Sequence, residues 1–325
     1  MRLASCLALW ALLTAPASAQ SISEPMVPYR DAAAQPARVV AVTFDDLPLA
    51  QGPAGHACDG PAILELNRRL IAGLARHGVP ATAFVTEGNV CDALRPSVLP
   101  DALTQWLDSG HDLANHTFSH PDFNRTGAAE YTADVERGAA TARRLLEARG
   151  RRLRYFRPPY LRTGDTPDEH AAYTRLVDET GYVTAPVTLD NDEWAFAAAY
   201  ARALARGDTA GMERIGRAYA PWLETVVAHH EARSLAVLGY EPPQVLLLHA
   251  NWLNADHIGS VAEMLVRRGY RFVTLDEAMV DPAYGRPDTY VGARGVSWIH
   301  RWGIARGLPV EMEPAAPAWV GAYGR

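Results

Sequence analysis

Residues 38–46 read RVVAVTFDD, an apolar, β-branched run that ends in two adjacent aspartates, Asp45 and Asp46. A run of this length and composition predicts a strand, and organised structure begins with it. Adjacent carboxylates repel each other unless a cation or a hydrogen-bond network compensates them. Because successive strand residues point in opposite directions, the two aspartates can take different roles. Taken alone, the pair also fits a solvated turn or a helix cap.

Working outward from this run, strand-like and helical stretches alternate along the chain. Further strand-like segments lie at residues 81–86, 112–115, 154–156, 182–189, 244–249 and 271–274. Apolar spacing predicts helices at residues 63–74, 129–149 and 258–268, and residues 195–238 form a long, Ala-rich, mostly helical insert. Seven strand candidates separated by helices predict an α/β fold of parallel βαβ units, as an open sheet or as a barrel.

Composition limits the classes of protein that the chain can belong to. The 325 residues, 48% hydrophobic and 21% charged, suit one large globular domain or two small ones. A net charge of −6 disfavours a nucleic-acid partner, which would select a basic face. Outside the first twenty residues, no stretch approaches the roughly 18 apolar residues that a membrane helix needs. The oligomeric state is not predicted.

The two ends of the chain differ from its middle. Residues 1–19 have a short apolar core and a small-x-small end, and we expect a signal peptide and an exported, periplasmic or secreted protein. Residues 20–36 are rich in Ser, Pro and Ala and predict a flexible lead-in. Residues 281–325 form a C-terminal extension, in which Trp298, Trp302 and Trp319 either stack on sugar rings or, as we favour, pack an irregular tail against the domain.

Removing the signal peptide leaves two cysteines, Cys58 and Cys91. An oxidising compartment favours a disulfide between them, and the alternative is a pair of free buried thiols. Neither residue belongs to a Cys-x-x-Cys pair of the zinc-binding type, so thiolate ligation of a metal is not expected.

A histidine pair, His116 and His120, follows the third strand candidate. Imidazoles four residues apart can bind one ion if the backbone is helical or tightly turned. With Asp46 they form a set of two histidines and one carboxylate, which leaves a coordination position for water. Such ligands favour Zn²⁺, with Co²⁺, Ni²⁺ or Mn²⁺ as substitutes.

Three further polar groups end strand candidates. Arg157 and Tyr160 flank a rigid Pro-Pro pair, and Arg157 can hold Asp45 ionised. Residues 190–194, read DNDEW, form a charged cluster, and His249 ends an apolar strand. Residues 229–231, read HHE, are of metal-binding types. Adjacent side chains on a helix diverge by about 100°, however, so we expect a structural role for them.

Taken in order, these segments resemble the polysaccharide deacetylase family, also called the NodB-homology or carbohydrate esterase 4 group. The family motifs T-F-D-D, H-[ST]-x-x-H, R-x-P-[YF] and L-x-H are all met, over about residues 38–280. The resemblance implies a distorted (β/α) barrel with seven strands, and a catalytic domain over residues 37–280.

The resemblance also implies roles for individual residues. Asp46, His116 and His120 would bind the metal, and Asp45, oriented by Arg157, would be the general base. The peptide N–H of Tyr160 would help to stabilise the oxyanion, and His249 would be the general acid. The side chains that would wall the acetyl pocket are Trp194 and Leu247.

One departure from the family pattern concerns the partner of His249. The fourth motif usually has Asp before Trp, and here that position is Glu193. Glu193, Asp190 or Asp192 can each be the carboxylate that orients His249, and the sequence leaves these alternatives open.

Three functions are compatible with these residues. The first is a metal-dependent hydrolase that removes N-acetyl groups from N-acetylglucosamine units of peptidoglycan, chitin oligomers or an exopolysaccharide. The second is an O-acetyl esterase acting on sugars such as xylan, and the third is a non-catalytic carbohydrate-binding relative. The first is our leading hypothesis; the complete set of catalytic residue types disfavours the third, whereas the sequence does not separate the first from the second.

Overall fold

The computed structural model describes residues 38–50 and 57–323, and in this part of the chain seven strands form one parallel sheet. The strands are, in chain order, β1 Val39–Leu47, β2 Ala81–Val85, β3 Asp112–Asn115, β4 Tyr155–Phe156, β5 Val183–Thr184, β6 Gln244–His249 and β7 Arg271–Phe272. Each lies on a predicted strand segment. The prediction of a parallel α/β fold is therefore confirmed.

The order of the strands shows how the sheet curls. Neighbours run β5-β4-β3-β2-β1-β6, and β7 pairs with the start of β1. Leu189, which follows β5 along the chain, pairs in parallel with Leu246 of β6. The chain after one edge strand thus reaches the other edge, and the sheet is the distorted (β/α) barrel that the family resemblance implies.

Helices cover the outside of this sheet. They are α1 Gly60–Arg76, α2 Arg95–Asp108, α3 Ala128–Arg137, α4 Ala140–Glu147, α5 Pro167–Thr180, α6 Glu193–Ala205, α7 Thr209–Leu238, α8 Trp252–Arg267, α9 Leu275–Ala278, α10 Trp298–Ala305 and α11 Ala318–Ala322. The apolar faces of α1, α2, α6, α7 and α8 pack together with outward-facing strand residues such as Phe44 in the largest core cluster. None of the described helices is long and apolar enough to cross a membrane.

A second, smaller core fills the inner side of the curl. Neighbouring strands each contribute one buried residue to it, among them Ala41, Phe84, Ala114 and Tyr155. Because strand side chains alternate, Thr43 and Asp45 point to the same side of β1 as Ala41. The side chain of Asp45 therefore points into the barrel. Asp45 also lies near the carboxyl end of β1, the end at which active sites of such folds are found.

Two expectations about helices need correction. The single helix predicted over residues 129–149 is two helices, α3 and α4, that break at Gly138. A Cβ added to Gly138 would overlap the backbone of Thr117, so the break lets the chain pass close to the loop after β3. The C-terminal extension is also less irregular than predicted, because it contains α10 and α11.

The extension packs on the domain through its tryptophans. Trp298 and Trp302 are buried in a cluster with Leu161 and Leu247, and Trp319 packs against the largest core. Cys58 and Cys91 form a disulfide with their Cα atoms 5.3 Å apart, which joins the segment before α1 to the segment before α2. The predicted signal peptide and the predicted lead-in, residues 1–36, lie outside the described residues.

Candidate active site

The carboxyl ends of β1, β3, β4 and β6 bring the predicted site residues to one edge of the sheet. Asp45 is directly paired with His249 across β1 and β6. Asn115, which precedes His116, is paired with Phe156, which precedes Arg157. Parallel strands in register place the residues that follow them side by side, so motifs far apart in sequence meet here.

Asp45 and Arg157 form a buried ion pair. Arg157 Nη1 donates to Asp45 Oδ1 at 2.6 Å and to Thr43 Oγ1 at 2.8 Å, and neither charged side chain is more than 4% exposed. The guanidinium also lies 4.0 Å from the centre of the Phe84 ring. Burial lowers the pKa of Arg157, and the charge of Asp45 opposes this effect. The pair fixes one carboxylate oxygen of Asp45 and leaves the other facing the site.

Asp46, His116 and His120 form a cluster with metal-binding geometry. One potential ligand atom from each lies within 4.8 Å of the others, and His120 Nε2 is 3.7 Å from Asp46 Oδ1. Two imidazole nitrogens and one carboxylate oxygen are typical ligands of a catalytic divalent metal site. These three residues therefore fit a divalent cation.

The hydrogen bonding of His116 supports this interpretation. Its Nδ1 lies 2.7 Å from the carbonyl oxygen of Arg157, which can only accept, so Nδ1 carries the proton and Nε2 keeps its lone pair. Burial, and then the positive charge of His120, lower the pKa of His116 to about 3. A neutral imidazole whose far nitrogen is held by a carbonyl is a common form of a metal-binding histidine.

The loop that carries the histidines is held by α3. Asp134 Oδ1 accepts hydrogen bonds from the backbone N–H groups of Phe118 and Ser119, each at 2.9 Å, and Asp134 Oδ2 accepts from Ser119 Oγ at 2.7 Å. The N–H of His120 donates to Thr117 Oγ1 at 3.0 Å. Together these bonds fix the backbone between the two imidazoles.

Left-handed backbone is concentrated at this site. In residues 38–50 and 57–323, the non-glycine residues with positive φ are Asp46, Thr117, His120, Tyr160 and Leu161, with φ from 53° to 72°. Each such residue costs about 1–2 kcal/mol relative to right-handed backbone. Four of them belong to the segments of the predicted motifs and Leu161 directly follows one, and strain of this kind is concentrated at functional sites.

On the opposite side of the site, His249 is held by Glu193 at the start of α6. His249 Nδ1 lies 2.7 Å from Glu193 Oε2, and the Glu193 side chain is 1% exposed. Burial by itself lowers the pKa of His249. The hydrogen bond and charge of Glu193 outweigh burial and, with the charges of Asp46 and Asp45, raise this pKa to about 9. His249 thus holds a proton at neutral pH.

The other two carboxylates of the DNDEW segment have different surroundings. Asp192 Oδ2 accepts a hydrogen bond from the N–H of Ala316 at 3.1 Å, in the C-terminal extension. Asp190 lines the cavity, and burial, followed by the charge of Glu313, raises its pKa to about 7. Of the three alternatives that the sequence leaves open, Glu193 is the carboxylate hydrogen-bonded to His249.

A cavity of about 820 Å³ connects these groups. Trp194, Leu247 and Tyr160 line it beside the metal-binding cluster. Trp194 is 59% exposed and Tyr160 is 55% exposed, whereas Leu247 is buried. The cavity therefore has an apolar wall and two exposed aromatic rings near the polar cluster.

The HHE segment does not join the site. His230 Nε2 lies 2.9 Å from the carbonyl oxygen of Asp190, whereas His229 Nε2 lies 3.1 Å from that of Glu311. Glu231 accepts hydrogen bonds from Arg38, Arg268 and Tyr270. These contacts are structural, as expected.

Two asparagines that the sequence analysis did not single out support His249. Asn251 and Asn254 donate to Glu193 Oε1 at 2.5 and 2.7 Å, and Asn254 also donates to the carbonyl oxygen of His249 at 2.9 Å. The sequence shows only that both residues follow β6 closely. The C-terminal extension also lines the cavity, through Arg294, Gly295, Met312 and Glu313.

Carboxylates, histidines and a buried arginine meet at the carboxyl edge of this curled parallel sheet, a combination that can bind a divalent metal and transfer protons. Residues 32–177 match the family model described as polysaccharide deacetylase. Over this part the chain is similar to the polysaccharide deacetylase family, which confirms the resemblance found in the motifs.

Known relatives include deacetylases of two substrate types. The chain is 29% identical over 121 residues to a peptidoglycan-N-acetylglucosamine deacetylase of Bacillus cereus, an alignment that covers 37% of this chain and 36% of the relative. It is 38% identical over 96 residues to a chitooligosaccharide deacetylase of Rhizobium leguminosarum bv. trifolii, covering 30% of this chain and 35% of the relative. The chain thus spans about a third of these relatives.

Among solved structures, a family 4 carbohydrate esterase from Streptomyces lividans in complex with acetate has a TM-score of 0.45 and 20% sequence identity. The comparison covers 74% of this chain and 95% of the esterase chain.

Proposed function

We propose that this protein is a metal-dependent hydrolase that removes N-acetyl groups from N-acetylglucosamine units of a glycan and releases acetate. The observation that carries the proposal is the position of the metal-binding cluster between two different acid–base pairs. Asp45 with Arg157 lies on one side, and His249 with Glu193 lies on the other. Amide hydrolysis needs a base for the water and an acid for the departing nitrogen.

Asp45 is proposed as the general base. A divalent metal bound by Asp46, His116 and His120 would polarise the acetyl carbonyl and lower the pKa of a bound water. Asp45 Oδ2 lies 3.7 Å from His116 Nε2, so the free oxygen of Asp45 faces the cluster. Arg157 holds the other oxygen, which leaves this free oxygen to take a proton from the attacking water.

His249 is proposed as the general acid. Its raised pKa keeps the ring protonated at neutral pH, and Glu193 on Nδ1 leaves Nε2 to donate to the amide nitrogen. The peptide N–H of Tyr160 is proposed as an oxyanion donor; one such donor contributes about 3–4 kcal/mol of transition-state stabilisation in other hydrolases. Trp194 and Leu247 are proposed to enclose the acetyl methyl group.

Zn²⁺ is the proposed metal, because two imidazole nitrogens and one carboxylate match its preference for borderline-soft ligands; Co²⁺, Ni²⁺ or Mn²⁺ are the substitutes. The proposed substrate is an acetylated amino-sugar glycan, such as peptidoglycan, a chitin oligomer or an exopolysaccharide. The names of the relatives from Bacillus cereus and Rhizobium leguminosarum support the first two.

The domain limits and the location of the protein are proposals too. Residues 37–280, including the helical insert 195–238, form the catalytic domain, and residues 281–325 form an extension of it. The apolar core and small-residue end of residues 1–19 support export to the periplasm or medium, as does the cysteine pair of the catalytic domain.

The test is an acetate-release assay on purified protein with N-acetylglucosamine oligomers, peptidoglycan and acetylxylan. We expect release from the N-acetylated glycans, loss of release with EDTA, and recovery with Zn²⁺. Asp45→Asn should retain bound metal, measured by elemental analysis, and lose about 10²–10⁴-fold in kcat. Faster release from acetylxylan would replace the proposal with an O-acetyl esterase, and glycan binding without turnover would replace it with a binding protein.

A further inference from the structure

The turn that carries Tyr160 is strained and needs support. Tyr160 and Leu161 are consecutive non-glycine residues with φ of 58° and 53°. At about 1–2 kcal/mol per residue, this backbone relaxes unless the surrounding structure holds it. The turn's own hydrogen bonds run from Leu161 N–H to the carbonyl oxygen of Pro158 at 3.0 Å and from Arg162 N–H to that of Pro159 at 3.2 Å.

A buried arginine of the C-terminal extension supplies further support. Arg301, on α10, is 2% exposed, and its Nη2 donates to the carbonyl oxygen of Leu161. Its Nη1 donates to Thr163 Oγ1 at 3.1 Å and also contacts Asp288. The guanidinium is stacked 4.0 Å from the centre of the Trp298 ring. These contacts together fix the plane of the guanidinium.

A glycine of the same extension touches the turn from another direction. A Cβ added to Gly295 would overlap the carbonyl oxygen of Tyr160 and would come within 3.0 Å of Leu161 Cβ. Gly295 and Tyr160 also line the cavity. The backbone of the extension is therefore packed directly on the peptide that follows Tyr160, at the rim of the proposed active site.

The contact is anchored on both sides. Before it, the N–H of Gly292 donates to the carbonyl oxygen of Gly164 at 3.1 Å. After it, the N–H of Trp298 donates to the carbonyl oxygen of Val187 at 2.7 Å. Residues 292–301 are thus fixed to the segment after β4 and to the segment after β5.

We propose that Arg301 and Gly295 are positioning residues that hold the Tyr160–Leu161 turn in its left-handed form and so aim the Tyr160 N–H at the oxyanion. The proposal rests on the function proposed above. It makes the extension part of the catalytic apparatus, although its residues lie outside the segment 32–177 that matches the family. Both residues act through the turn, and neither needs to touch the substrate.

Two substitutions disturb the turn independently. Arg301→Met removes the donor to the Leu161 carbonyl oxygen but keeps an unbranched apolar side chain. Gly295→Ala adds a Cβ that overlaps the Tyr160 carbonyl oxygen and displaces it. Each should lower kcat by about 10–100-fold, somewhat less than complete loss of an oxyanion donor. KM should change less than about 3-fold, because the ground-state carbonyl depends little on that donor. Arg301→Lys keeps one donor and should recover part of the lost kcat.

Controls come from α10 and from the residue that directly follows it. Arg306→Met removes an arginine that donates to the carbonyl oxygen of Val237, and Gly303→Ala adds a Cβ 3.2 Å from a Val237 methyl. Both should keep the wild-type kcat. Bound metal and Tm are measured for every variant, which separates a folding defect from a positioning defect.

The outcomes separate this proposal from the one on which it rests. A wild-type protein without deacetylase activity would refute the proposed function. An active wild type, with folded, metal-loaded Arg301→Met and Gly295→Ala variants that retain kcat, would overturn the positioning role alone. If Arg301→Met does not fold, Gly295→Ala decides the question. A loss of kcat in Arg306→Met equal to that in Arg301→Met would also overturn it.

Discussion

At the scale of single residues, the contact between His249 and Glu193 gives the proposed reaction a defined pH dependence. His249 acts as an acid only while it is protonated, and its pKa is raised to about 9. Replacing Glu193 with Gln removes the negative charge and leaves burial, which lowers the pKa. We therefore expect the alkaline limb of kcat/KM against pH to move down by about 1–3 units in Glu193→Gln.

The matched control for this prediction is Asp192→Asn. It removes a neighbouring carboxylate that accepts a hydrogen bond from Ala316, so the alkaline limb should stay where it is in the wild type. If Glu193→Gln retains activity and the alkaline limb of its kcat/KM profile stays at the wild-type pH, the role of Glu193 is contradicted. A shift in Asp192→Asn as large as that in Glu193→Gln would show a general charge effect instead.

The sequence could predict which residue types meet at the site but not which carboxylate reaches His249. Asp190, Asp192 and Glu193 are close in sequence, and any of them can follow a strand. The outcome depends on where α6 begins, because Glu193 is its first residue and a helical side chain points back toward the N-terminus. Asn251 and Asn254 then complete the contacts of Glu193, and their roles depend on the same geometry.

At the scale of elements, the break between α3 and α4 explains an error in the sequence analysis. The apolar spacing of residues 129–149 suits one continuous helix, and periodicity alone cannot detect a tertiary contact. Gly138 lies at the break because the backbone of Thr117 occupies the space of a side chain. The local pattern is therefore overridden by the packing of the loop that follows β3.

The same packing predicts that α3 controls metal affinity. Asp134 accepts three hydrogen bonds from Phe118 and Ser119 through its two oxygens. In Asp134→Asn one of these oxygens becomes an amide N–H₂, which cannot accept. The backbone between His116 and His120 is then held by fewer hydrogen bonds. Loss of a residue that supports metal ligands typically lowers affinity by about 10–100-fold. The measurement is the Kd for Zn²⁺ by competition with a chelator, on protein whose fold is checked by circular dichroism.

Glu136→Gln on the same helix is the control, because Glu136 is exposed and pairs with Arg143 at 3.3 Å on the surface. It removes the same charge, and the Zn²⁺ affinity should stay within about 2-fold of wild type, since exposed ion pairs contribute little. Equal Kd values for Asp134→Asn and wild type would refute the anchoring role of α3.

At the scale of the whole molecule, the sequence predicts the sheet better than it predicts the surroundings of the site. Seven strand segments and their parallel arrangement follow from β-branched runs separated by helices. The position of the C-terminal extension does not follow, because its route depends on long-range contacts such as that of Arg301 with Leu161. Trp298 was expected to pack the tail, and it does so beside Leu247 in the cavity wall.

The disulfide gives a prediction about the whole fold. Cys58 and Cys91 are 33 residues apart, and closing a loop of this size stabilises the folded chain by about 3–4 kcal/mol in the chain-entropy model. Cys58→Ser, Cys91→Ser and the double variant should all lower the free energy of unfolding by this amount, because any of the three removes the same cross-link. Urea titrations measure the loss, and wild-type protein treated with dithiothreitol should match the variants.

A reduced wild type as stable as the oxidised one would show that the cross-link does not stabilise the fold. A double variant much less stable than either single variant would show that the loss comes from packing of the sulfur atoms.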